Sequence, residues 1–159
     1  MIRIVTGSID SGKTTKLLAL YRDLGTGDGF ILPKVYVEGN YAGQEILQLS
    51  TGAKKPFSFK CGFIPAHWNE KDRYDVYSFS REGFEFACAI FHDALRCRLF
   101  PVFLDEIGPL EMEGKGFHPL LSCMIMENIP GIIAVRESLL QAVIQRFHLH
   151  NPEVIRVTR

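Results

Sequence analysis

Apolar residues along this chain fall into two kinds of pattern. Short, mostly apolar runs, residues 2–5, 99–104, 131–135 and 154–157, have the length and branched content of buried strands. Between them apolar positions recur at helical spacing. Residues 13–24 carry Leu17, Leu18 and Tyr21, and residues 82–96, entered through Ser80, carry Phe84, Cys88, Phe91 and Leu95. Residues 117–127 and 138–147 complete the predicted helices, and Gly25, Gly27 and Gly29 stop the first one. Buried strands alternating with helices predict an α/β fold: a mainly parallel sheet with helices on both faces.

The stretch after the first helix differs. Residues 30–32, 34–38, 45–49 and 57–63 read as short strands, punctuated by Gly39-Asn40, Thr51-Gly52 and Pro56. They predict an antiparallel hairpin insertion, with a loop over residues 65–74. The 159 residues, with no linker or repeat, fit a single domain over 1–159.

Composition trims the function classes. A formal net charge of zero gives no broad polyanion-binding surface, so no nucleic-acid partner is expected. No apolar run approaches the roughly 20 residues of a membrane helix. The four cysteines form no CxxC pair, and Cys88 and Cys123, among apolar neighbours, are expected to be buried thiols. A cytoplasmic protein is the expectation; no feature identifies protein partners.

The chemistry begins at residue 7. Gly7, Ser8, Ile9, Asp10, Ser11, Gly12, Lys13 and Thr14 satisfy GxxxxGK[ST] between a buried strand and a helix, and Thr15 follows. Glycines let backbone N–H groups approach phosphate oxygens, and the helix start adds unpaired N–H groups and a positive dipole end. Lys13 is expected to reach the β- and γ-phosphates and the Thr14 hydroxyl to ligate Mg²⁺. Downstream, the apolar run 100–104 ends on Asp105-Glu106. Asp105 is the candidate second metal residue, and Glu106 the group that activates water.

These motifs resemble those of the small nucleoside-triphosphatases first described from thermophiles, also called cancer-related NTPases. The resemblance rests on the GKTT ending of the loop and on Leu104-Asp105-Glu106-Ile107-Gly108-Pro109-Leu110-Glu111, about ninety residues on. Gly29-Phe30, Gly43, residues 46–52, Phe117 and residues 130–136 extend it over most of the chain. It implies a RecA-like P-loop core and Mg²⁺-dependent hydrolysis of nucleoside triphosphates such as ATP and GTP, slow and with little base preference. Two departures stand out: Ile9-Asp10 replace a common Pro-Gly, and Lys34-Val35 stand where an acidic residue is frequent.

Other residues bear on the site. Arg136, ending the run 131–135, is the candidate cis arginine for charge on the transferring phosphate, or else a surface arginine. Glu111 either closes over the nucleotide or caps the following helix. Trp68 and Tyr74 either stack on a base or plug a small core. His148 and His150 would share one face on a strand, yet no third metal ligand is spaced near them and they follow a predicted helix end. The reading is a nucleoside-triphosphate hydrolase. A nucleotide or nucleoside kinase, and a non-catalytic nucleotide-binding module, are the alternatives.

Overall fold

The computed structural model describes residues 1–158. One ten-stranded sheet organises them, in the order β10-β1-β9-β8-β2-β4-β5-β7-β6, with β3 paired on β4. The parallel half comprises β10 (Glu153–Arg156), β1 (Ile2–Gly7), β9 (Gly131–Arg136), β8 (Val102–Ile107) and β2 (Asp28–Ile31). The antiparallel half comprises β3 (Lys34–Val37), β4 (Asn40–Gln48), β5 (Lys54–Lys60), β6 (Glu70–Tyr74) and β7 (Tyr77–Ser80).

The apolar runs of the inner strands are explained by burial on both faces. Along the strands successive side chains enter opposite cores. Ile4, Phe30, Leu104, Ile133 and Val135 pack in the larger cluster, Val5, Ile31, Phe103, Ile132 and Ala134 in the smaller. Helix α1 (Lys13–Leu24) covers the smaller cluster with Leu17 and ends on Gly25 in the left-handed conformation. The larger cluster is covered by α2 (Arg81–Arg96), α4 (His118–Met126) and α5 (Leu140–Arg146), with the short α3 (Pro109–Met112) beside them. No helix among the described residues is long and apolar enough to cross a membrane.

The expectation of an α/β fold with a mainly parallel sheet, helices on both faces and an antiparallel insertion after the first helix holds, with three local corrections. Residues 30–32, assigned to the antiparallel insertion, lie at the edge of the parallel half, because β2 pairs with β8 as well as with β4. Gly29 makes this possible: a Cβ there would lie 2.1 Å from the Phe103 carbonyl oxygen. The expected loop 65–74 contains β6, whose sequence EKDRY shows no apolar alternation because the strand ends the sheet and is mostly exposed. Cys88 is exposed rather than buried, as are Cys61 and Cys97. The buried stripe of α2 runs through Gly83, Phe84, Ala87, Ile90, Phe91 and Ala94, so its small residues face the sheet and Cys88 turns outward. His148 and His150 follow the end of α5, where the predicted helix end puts them.

Candidate active site

The first motif folds as strand, loop and helix. Gly7 ends β1 and is closely packed, a Cβ there meeting Ser11 Oγ at 2.4 Å and the Val157 carbonyl at 2.7 Å. Asp10 (φ 59°) and Gly12 (φ 99°) take left-handed backbone conformations that turn the chain back into α1. Gly12 caps that helix without a side chain, and the first turn holds no acidic residue. The N–H groups at the helix start are therefore free for an anion. Ser11 Oγ is buried with no hydrogen-bond partner among the described residues. Lys13 Nζ donates to the carbonyls of Ser8 at 2.7 Å and Gly7 at 3.2 Å, lying over its own loop.

The second motif departs from its expected form. β8 does not end on Asp105-Glu106 but continues to Ile107, with a bulge against β9. Leu104 pairs with Ile133 and Ile107 with Val135, so two residues oppose one. Glu106 takes φ 57° there. Neighbouring strand residues ordinarily point to opposite faces, yet here both carboxylates line one cleft. Asp105 Oδ2 accepts the Thr14 hydroxyl at 2.7 Å and the Leu32 N–H at 2.9 Å, tying α1 to β8. Burial, then the Glu106 charge, pushes the Asp105 carboxyl up to about 6, against the Leu32 and Thr14 donors and Lys13. Lys13 is pushed below its usual value by burial, opposed by Glu106 and Asp105, while Arg136 lowers it further.

Gln44 carried no recognisable signal in the sequence, whereas Glu111 and Lys34 were singled out there without a settled role. Gln44 on β4 donates to Glu106 Oε2 at 2.7 Å, from a strand sixty-two positions away. Glu111 is buried, and its two oxygens accept the Gly108 N–H at 2.7 Å and the Phe117 N–H at 2.8 Å. It therefore holds the ends of the 108–117 segment together as well as lining the cleft. Burial raises it to about 7 despite both donors. Lys34 forms an ion pair with Asp10, joining the antiparallel half to the loop across the cleft.

Other expected residues separate. Arg136, at the end of β9, pairs in register with Gly7 and lines the cleft with Ile9, Asp10, Ser11, Gly12, Lys13, Thr14 and Thr15. Gly7 and Ser8 are not among the lining residues, and their carbonyls accept from Lys13. Trp68 is turned away: its Nε1 donates to Ser78 Oγ at 2.9 Å and its ring meets Phe59 edge-on. Tyr74 lines the cleft. Among the described residues no three His, Cys, Asp or Glu side chains converge, at residues 148–150 or elsewhere. A metal would accordingly rest on a hydroxyl and one or two carboxylates with substrate oxygens, the donor set that suits Mg²⁺.

Strand order sets β9 between the loop-bearing β1 and the acid-bearing β8, and the cleft of about 1000 Å³ opens where those strands end. This arrangement defines a P-loop nucleotide-binding α/β protein. A family model described as NTPase matches residues 3–159. A nucleoside-triphosphatase THEP1 from Archaeoglobus fulgidus is 30% identical over 130 residues, 80% of this chain and 69% of the relative. The crystal structure of THEP1 from the hyperthermophile Aquifex aeolicus superposes with a TM-score of 0.76 at 25% identity, covering 99% of this chain and 90% of that one. The solution structure of a human cancer-related nucleoside triphosphatase gives 0.68 at 23% identity, over 99% and 88%, a likeness of fold. The chain belongs to the NTPase family and is a nucleoside-triphosphate hydrolase.

Proposed function

We infer that this protein hydrolyses nucleoside 5′-triphosphates to diphosphate and phosphate with Mg²⁺, slowly and with broad base specificity. The observation that carries the reading is the 2.7 Å bond from Thr14 to Asp105, which sets a hydroxyl and a carboxylate beside the helix start, with Glu106 next in the bulge. The N–H groups of residues 9–14 and the Lys13 ammonium would hold the phosphates. Thr14 and Asp105 would hold Mg²⁺, which when bound neutralises charge on the β- and γ-phosphate oxygens. Glu106, oriented by Gln44, accepts a proton from the attacking water, and Arg136 faces the charge that develops on the γ-phosphate.

Phosphate release by the wild type and Glu106→Ala is the test. Loss of release with triphosphate binding retained is expected. Unchanged release would remove Glu106 from the reaction, and release of diphosphate only when an acceptor is supplied would make the protein a kinase.

A further inference from the structure

The cleft is longer than the phosphate site, and its far end has a different chemistry. Of the five tyrosines in the chain, four line it: Tyr36, Tyr41, Tyr74 and Tyr77. Tyr36 and Tyr41 meet edge to face with centroids 6.0 Å apart, and Tyr41 and Tyr77 do so at 6.3 Å. Tyr36, 59% exposed, and Tyr74, 41%, do not serve a core, while Tyr41 and Tyr77 are half-buried. Strand order fixes where they stand. The phosphate loop follows β1, Glu106 is on β8, and the tyrosines are on β3, β4, β6 and β7, beyond β8 and β2. Glu106 therefore lies between the loop and the aromatic wall.

That order excludes the wall as a seat for the substrate's own base. In phosphoryl transfer the attacking and leaving oxygens lie roughly in line on opposite sides of the phosphorus. Glu106 marks the nucleophile's side, so the leaving diphosphate and its nucleoside point away from the tyrosines. We propose that the tyrosine-walled end of the cleft is a second ligand site, taking an uncharged, hydroxylated molecule with a planar aromatic ring, of the nucleoside class. Exposed aromatic faces stack on such a ring, and the tyrosine hydroxyls and the Gln44 amide supply polar contacts at its edge. The ligand carries no phosphate. Asp75 lines the tyrosine end, and Lys34, 5.9 Å over the Tyr41 ring, is paired with Asp10. The inference rests on the hydrolase reading for the direction of attack.

A ligand on this side displaces water from Glu106 without touching the triphosphate. Phosphate release is measured over a matrix of triphosphate against adenosine, guanosine, cytidine and uridine. At least one nucleoside is expected to slow release saturably, lowering kcat with the KM for triphosphate unchanged. Tyr36→Ala and Tyr74→Ala, at exposed positions, are expected to raise the half-inhibiting concentration roughly 5- to 150-fold, the range for one lost stacked base. Tyr36→Phe keeps the effect. A purely competitive pattern, no effect at millimolar nucleoside, or tyrosine variants that raise the triphosphate KM instead would each overturn the proposal. If the wild type releases no phosphate, the hydrolase reading fails by itself. Calorimetric titration of the same nucleosides onto protein with a non-hydrolysable triphosphate and Mg²⁺ still decides this site.

Discussion

Two acidic residues in unusual backbone conformations bear most directly on the chemistry. Glu106 sits in a bulge at positive φ, which costs roughly 1–2 kcal/mol for a non-glycine residue, and the bulge turns its carboxylate to the same side as that of Asp105. Glu106→Gln keeps the shape and removes the base, so kcat should fall by roughly 10²- to 10⁴-fold with KM little changed, as read by steady-state phosphate release. Asp10 also has positive φ, and places a carboxylate at the rim of an anion site, where Lys34 offsets it. Asp10→Gly removes both the backbone strain and the like charge. Triphosphate affinity should rise several-fold by equilibrium binding, and a fall would show that Asp10 helps order the loop. The identities of Lys13, Thr14, Asp105 and Glu106 were legible in the sequence because the motif is local. The role of Gln44 and the pairing of Lys34 were not, since contacts across 62 and 24 residues leave no spacing to read.

At the scale of elements, close backbone approach and buried charge set the tolerances. Gly29 runs against β8 so tightly that a methyl group would fall on the Phe103 carbonyl, and its φ of 146° disfavours any other residue. Gly29→Ala should cost about 2–4 kcal/mol, seen as a lower midpoint in urea with the m-value unchanged. Glu111 ties Gly108 to Phe117 and is held near 7, above an ordinary glutamate value of 4.5. A carboxyl raised on folding contributes stability that is complete below its unfolded value and lost as pH rises through the folded one. The thermal midpoint should therefore fall between about pH 4.5 and 7, and Glu111→Gln should flatten that slope. The helices and buried strands were read from their periodicity, which burial enforces. β6 escaped because an edge strand buries almost nothing, and the bulge escaped because it leaves no mark in composition.

For the molecule as a whole, the expected α/β core and antiparallel insertion were recovered, and only the place where they join was not. Pairing of β2 with both β8 and β4 makes one continuous sheet, and this continuity carries the cleft from the phosphate loop to the tyrosines. That juxtaposition is a property of strand order, which no local pattern encodes. Ligand linkage is the corresponding measurement. A triphosphate with Mg²⁺ at a hundred times its dissociation constant should stabilise the native state by about 2.7 kcal/mol, and Lys13→Ala should lose most of that gain at the same concentration. The two faces of the sheet are also unequally roofed. Three helices pack on the larger cluster, but α1 alone covers the smaller one, and α1 begins at the phosphate loop. One helix is thus both the grip on the nucleotide and the shutter over half the core. Amide exchange in Val5, Ile132 and Ala134, beneath Leu17, should then slow when triphosphate binds, turning a remote set of backbone protons into a reporter of nucleotide occupancy.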